Sequence, residues 1–151
     1  MHRRVAASLS VLAVASAASV AHADGTPRNA QRIDAGRSVY LAQCASCHGA
    51  RAEGQANWDR PDAAGDMPAP PHNAEGHTWK HSDAMLYRIV KDGWRDPYNK
   101  TQRLTMPAFG KTLSPQQICD VIGYLKTLWT AEQRTFQREE SRRQPFPAPE
   151  P

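Results

Sequence analysis

Residues 44–49 read Cys-Ala-Ser-Cys-His-Gly, and no other stretch constrains this chain as much. Two of the three cysteines stand three positions apart, and His48 follows the second directly. Three chemistries use such a thiol pair. A redox dithiol belongs in a βαβ setting, and no run of alternating β-branched residues occurs after residue 23. A structural zinc site needs a second ligand pair at suitable spacing, and only Cys119 remains. The third chemistry is covalent haem attachment, whose signature is Cys-x-x-Cys-His. The two thiols add to the two vinyl groups of one macrocycle, which sit on neighbouring edges, so the thiols must lie about one helical turn apart. The histidine beside the second thiol is then held under the iron and offers its imidazole as an axial ligand. The expected cofactor is one haem c, covalent through Cys44 and Cys47, with His48 on the metal.

The rest of the chain divides around that motif. Residues 1–23 read as a cleaved export signal: Arg3 and Arg4, then an uncharged Ala/Val/Leu/Ser stretch from Val5 to Val20, then the small-x-small site Ala21-His22-Ala23. The other reading is a retained anchor, but the apolar run falls short of the roughly 20 residues a span needs. No later segment is apolar enough to cross a bilayer, so the expected location is the periplasm, with no stable membrane span after cleavage. Without Arg3 and Arg4 the 19 basic residues become 17, against 15 acidic ones, for a net charge of about +2. No basic run is long enough for a nucleic-acid footprint. We expect a linker at 24–32, one domain at 33–129, and a charged, proline-rich tail at 130–151.

The periodicity predicts helices and no strands. A helix over Ala30 to Cys47 places Ile33, Gly36, Tyr40, Cys44 and Cys47 on one face. Residues 49–81 form a long Pro- and Gly-bearing loop, which is unusual in a compact domain unless it wraps something. Ser82 reads as an N-cap and Gly93 as a stop, with Leu86, Ile89 and Val90 sharing a face between them. A second loop, 94–113, holds Met106-Pro107. Ser114, Pro115 and Gln117 then make a capping box ahead of the stripe Ile118, Val121, Ile122, Leu125, Leu128 and Trp129. The first part of the charged run after Trp129 can extend that helix on polar residues, and the last seven residues, four of them proline, are expected to be disordered or polyproline-like.

These elements together resemble the class I c-type cytochromes, small single-haem electron carriers, from Ile33 to Trp129. The resemblance is carried by Gly36 and Tyr40 ahead of "CASCHG", then "APP", "MPAFG" and "VIGYL". It implies an all-α, cytochrome c-like fold of three or more helices wrapped around one covalently bound haem. It implies a crossing of the first and last helices where Gly36 and Tyr40 meet Val121 and Tyr124. It also implies that Met106 binds iron opposite His48. The residues support that assignment, since a neutral thioether with histidine raises the reduction potential into the electron-transfer range. Met67 lies in a second Met-Pro pair but is too close to the attachment site to cross easily to the far face, and Met85 has the spacing of a core residue.

By the same resemblance a proline carbonyl accepts the Nδ1–H of His48. Pro70 is the residue that matches; His72 stands where the family has leucine, so Pro71 stays open. Trp79 is expected to donate to a haem propionate or to pack on the haem edge. His72, His77 and His81 read either as polar loop and cap residues or as a metal cluster, and Cys119 as a free thiol at the edge of the last helix. "GHTWKHSD" and "DGWRD" are similar to a periplasmic subset of the family, some of which resemble cytochrome domains beside copper-handling oxidoreductases. The implied function is the carriage of single electrons between a redox protein donor and acceptor, not catalysis. The chain would act as a monomer or as a subunit of a respiratory or copper-related complex. The alternatives are a haem sensor or peroxidase-like protein with an open sixth site, and a copper-handling partner protein.

Overall fold

The computed structural model describes residues 27–63, 65–97 and 103–144. The expected export signal, residues 24–26 of the linker and the proline-rich end at 145–151 lie outside the described residues. Within them the secondary structure is helical, with one isolated antiparallel bridge, Trp94 to Met106, and no strand.

Helix α1 spans Pro27–Gln43 and the short α2 spans Ala45–His48. The single helix expected over 30–47 is thus two. Cys44, at φ −113° and ψ −35°, departs from helical geometry between them. The backbone ladder still runs through the break: the Cys44 N–H donates to the Tyr40 carbonyl and the His48 N–H to the Cys44 carbonyl, each at 2.9 Å. The chain therefore kinks without losing its hydrogen bonds, and both thiols stay on one turn.

Helix α4, Pro115–Thr127, begins as the sequence predicts. Ser114 accepts from the Gln117 N–H, and the Gln117 side chain accepts in return from the Ser114 N–H, 2.9 Å away. Its stripe of Ile118, Val121, Ile122 and Leu125 is buried, and each such side chain contributes about 1.5–3 kcal/mol on leaving water. Helix α1 crosses it at closest approach over Gly36, where an added Cβ would lie 2.0 Å from the Asp120 carbonyl oxygen and 3.0 Å from the Tyr124 Cβ. No larger residue fits without parting the helices. Two contacts flank the crossing. Arg32 Nε pairs with Asp120 Oδ1 at 2.8 Å, and the Tyr40 and Tyr124 rings meet with centroids 5.5 Å apart. The expected partner Val121 is buried beside them, but the residues that meet Gly36 are Asp120 and Tyr124.

Helix α3, Asp83–Asp92, is capped by Ser82, which accepts from the Met85 N–H, and stops at Gly93, whose φ of 80° is the left-handed conformation that glycine tolerates. A 3₁₀ turn, Thr78–Lys80, precedes it.

The segment after Trp129 corrects the sequence reading. It neither extends α4 nor trails as a tail up to residue 144. Thr130 opens a new helix, α5, Ala131–Arg143, through a second capping box with Gln133. This helix packs back on the 3₁₀ turn and on α3. Its anchor is polar: Gln137 is 1% exposed, and its Nε2 donates to Asp83 Oδ1 at 2.7 Å and lies 3.3 Å from the His81 carbonyl. Asp83 also pairs with Lys126 of α4 at 2.5 Å, so the start of α3 is tied to both later helices.

Candidate functional site

The α1–α2 kink sets the thiols. Cys44 is half-buried and Cys47 exposed. Burial, with the Cys47 thiol beside it, pushes the Cys44 thiol up to about 11, away from the thiolate a redox dithiol uses. The turn is closed from behind by Tyr40, wholly buried, whose hydroxyl donates to the Gly49 carbonyl at 2.8 Å.

His48 is 6% exposed, and its Nδ1 lies 2.8 Å from the Pro70 carbonyl. A carbonyl only accepts, so Nδ1 carries the proton and Nε2 keeps its lone pair. Burial pulls the His48 pKa down while the bond to Pro70 opposes it, leaving a neutral imidazole. Of the two prolines, Pro71 is committed elsewhere, since its carbonyl accepts from the Thr78 hydroxyl at 3.3 Å. The proline pair is held in place by Gly54, where a Cβ would lie 2.5 Å from the Pro71 nitrogen. A further tie comes from the Gln55 N–H, which donates to the Ala69 carbonyl at 2.9 Å.

Cys44, Cys47 and His48 border a cavity of about 730 Å³, within the usual size of cofactor sites. Its walls are largely apolar. Leu86, Ile89 and Val90 come from α3, Ile122 and Leu125 from α4, and Phe109 from the second loop. Met106 lines it, with its backbone fixed by the bridge to Trp94: each residue donates its N–H to the other's carbonyl at 3.0 Å. Met67 and Met85 line it too. Met85 sits beside Leu86 and Ile89 on the cavity side of α3, in keeping with the core spacing read for it.

Trp79 is not among the described residues that line the cavity. Its indole N–H donates to the Gly76 carbonyl at 2.9 Å and its ring packs edge-on against Phe136 of α5, so it takes neither of the two places expected for it, on a propionate or on the haem edge. Of the two readings for the histidines the structure follows loop and cap residues: His77 and His81 are the two caps of the 3₁₀ turn, and His72 lies in the loop before it. His72 stacks on His48 with ring centroids 3.9 Å apart and shares a hydrogen bond with Thr78 Oγ1 at 2.8 Å. His77 and His81 line the cavity, His77 stacked on Trp58. No group of three or more His, Cys, Asp or Glu side chains among the described residues is placed to hold a metal ion. Cys119 is a half-buried free thiol, raised in pKa by burial.

The donor set fits a haem: two thiols on one turn, a neutral imidazole with its outer nitrogen bonded, and a large apolar chamber behind them. An all-α fold with that chamber and turn defines a haem c protein. The chain belongs to the cytochrome c family, whose profile, described as "Cytochrome c", matches residues 33–129. Its cofactor is one haem c, covalent through Cys44 and Cys47. The chain is 29% identical over 100 residues to the Cbb3-type cytochrome c oxidase subunit FixP of Sinorhizobium medicae (strain WSM419), covering 66% of this chain and 31% of that one. It is 32% identical over 95 residues to FixP of Bradyrhizobium sp. (strain ORS 278), covering 62% of this chain and 29% of that one. The likeness thus spans under a third of the length of these curated relatives. Among solved structures it is similar to cytochrome cL of Methylophaga aminisulfidivorans MPT, at 21% identity and a TM-score of 0.43, over 80% of this chain and 70% of that one.

Proposed function

We propose that this is an exported mono-haem c-type cytochrome that carries single electrons between a redox protein donor and acceptor, with His48 and Met106 as the axial pair on iron. The observation that carries the reading is the 2.8 Å hydrogen bond from His48 Nδ1 to Pro70, on the wall of a cavity that Met106 also lines. The bond fixes the tautomer and ring orientation and raises the basicity of Nε2. The bridge to Trp94 and the stiff Pro107 support a thioether held in one place. When bound, haem supplies a one-electron couple, and His–Met ligation sets it at high potential. The chain does the rest. Leu86, Ile122, Leu125 and Phe109 keep water from the site, while Cys47, exposed, brings the attachment edge to the surface where a partner can approach.

The likeness to oxidase subunits supports a redox protein as partner, or a place as subunit in a respiratory complex. The leader read at residues 1–23 supports a periplasmic location; no helix among the described residues is long and apolar enough to cross a membrane.

Carbon monoxide binding to the ferrous protein tests the reading. With both axial positions filled, the wild type should bind it poorly at neutral pH, and Met106→Ala should bind it readily while keeping covalent haem. Fast, stoichiometric binding by the wild type would overturn the carrier in favour of a sensor or peroxidase-like protein. Opening of the site by Met67→Ala and not by Met106→Ala would move the ligand to Met67.

A further inference from the structure

A histidine side chain has no strong preference of its own for a ring plane, because rotation about the bond that carries a flat ring has broad wells. The bond from His48 Nδ1 to Pro70 leaves part of that freedom in place. A carbonyl accepts over a wide spread of directions, so the bond selects the protonated nitrogen more sharply than the plane. A flat wall against one face does fix a plane. His72 is such a wall: its ring lies over that of His48 with centroids 3.9 Å apart and planes 27° from parallel. His72 is itself held at three points. Its N–H donates to the Ala52 carbonyl and its carbonyl accepts from the Trp129 indole, each at 2.9 Å. Its ring is locked through Thr78, a buried residue. The Thr78 hydroxyl commits its proton to the Pro71 carbonyl, so it accepts from His72 Nδ1 at 2.8 Å.

We propose that His72 is a positioning residue for His48, setting the plane of the axial imidazole by stacking on it. A twist of the His48 ring drives its edge into His72, and the His72 ring turns aside only by giving up its bond to Thr78. The wholly buried Tyr40 ring meets His72 edge to face at 6.5 Å and limits its movement further. The plane matters because an imidazole's π orbital stands perpendicular to its ring. It overlaps one of the two iron d orbitals of π symmetry, and so decides which pair of pyrroles carries the unpaired electron of ferric haem. The proposal rests on His48 as the axial ligand, and on neither Met106 nor the electron-carrier reading.

The test is proton NMR of the ferric holoprotein saturated with cyanide. Cyanide on the far face is cylindrically symmetric, so the plane of the axial imidazole ranks the four haem methyl signals by hyperfine shift. His72→Leu, which fills the space without a flat face, should reorder that ranking. His72→Phe, which restores a flat ring, should return it toward wild type. Gly36→Ala, which strains the helix crossing without a contact to His72, should leave it unmoved. An unchanged ranking in His72→Leu, or an equal change in Gly36→Ala, overturns the proposal. Should the leucine variant not mature, the holoprotein crystal structure decides alone. Rings of His48 and His72 still stacked with centroids near 3.9 Å beside bound haem support it, and parted rings overturn it. Failure of His48 as ligand would show separately, as His48 ring protons without hyperfine shift in the wild type, and would take the proposal with it.

Discussion

The Trp129 indole N–H donates to the His72 carbonyl, 2.9 Å away across 57 residues of sequence. It ties the end of α4 to the loop segment that also carries Pro70, the partner of His48. Trp129 is 3% exposed, so the bond lies where water cannot replace it. We expect Trp129→Phe to keep the ring's packing, orphan the carbonyl and cost about 1–3 kcal/mol. Urea denaturation of the holoprotein checks this; an unchanged midpoint would mean that the carbonyl finds another donor.

Gly36→Ala replaces a poor helix former with the best one, which alone would favour α1 by roughly 1 kcal/mol. The 2.0 Å gap to the Asp120 carbonyl decides the sign the other way. We expect net destabilisation of about 1–3 kcal/mol, as for an overpacked core, and more for Gly36→Leu. A stabilised alanine variant would show that the helices can part at little cost.

Cys44→Ala or Cys47→Ala should each lose one thioether, and the double variant should lose covalent haem altogether. Haem staining of the denatured protein on a gel reads this directly, and a band that survives in the double variant would refute attachment at these thiols.

Gln137→Leu should destabilise the protein by about 1–3 kcal/mol although it adds apolar surface, because Asp83 and the His81 carbonyl lose a buried donor. Thermal melting of the holoprotein is the measurement. No loss of stability would make α5 a dispensable covering.

The extent to which the sequence disclosed this structure follows from the kind of signal each part uses. Ser114 and Thr130 both open helices with the same four-residue capping box. The first was legible because an apolar stripe follows it. The second was not, because α5 is held through Gln137, a polar residue with no periodic pattern around it. The thiols and His48 were readable because their motif needs particular residues at a particular spacing, and the Gly36 crossing because the resemblance to class I cytochromes implied it. The direction of the Trp79 N–H was not, since it turns on a local bond to Gly76 that competes with any cofactor.

The brace that α5 supplies also has a meaning in time. A chain is made from its N-terminus, so the cysteine turn and the cavity-lining loops are complete before α5 exists. Until residues 131–143 arrive, the turn bearing His77 and His81 is held by its own local bonds, without Gln137 on the His81 carbonyl or Ser141 on the Asp83 N–H. The last helix is thus a latch on that turn from outside the chamber, since none of its residues lines the cavity. Amide exchange at residues 77–83, compared between the whole chain and one ending at Trp129, would register the latch as protection found only in the former.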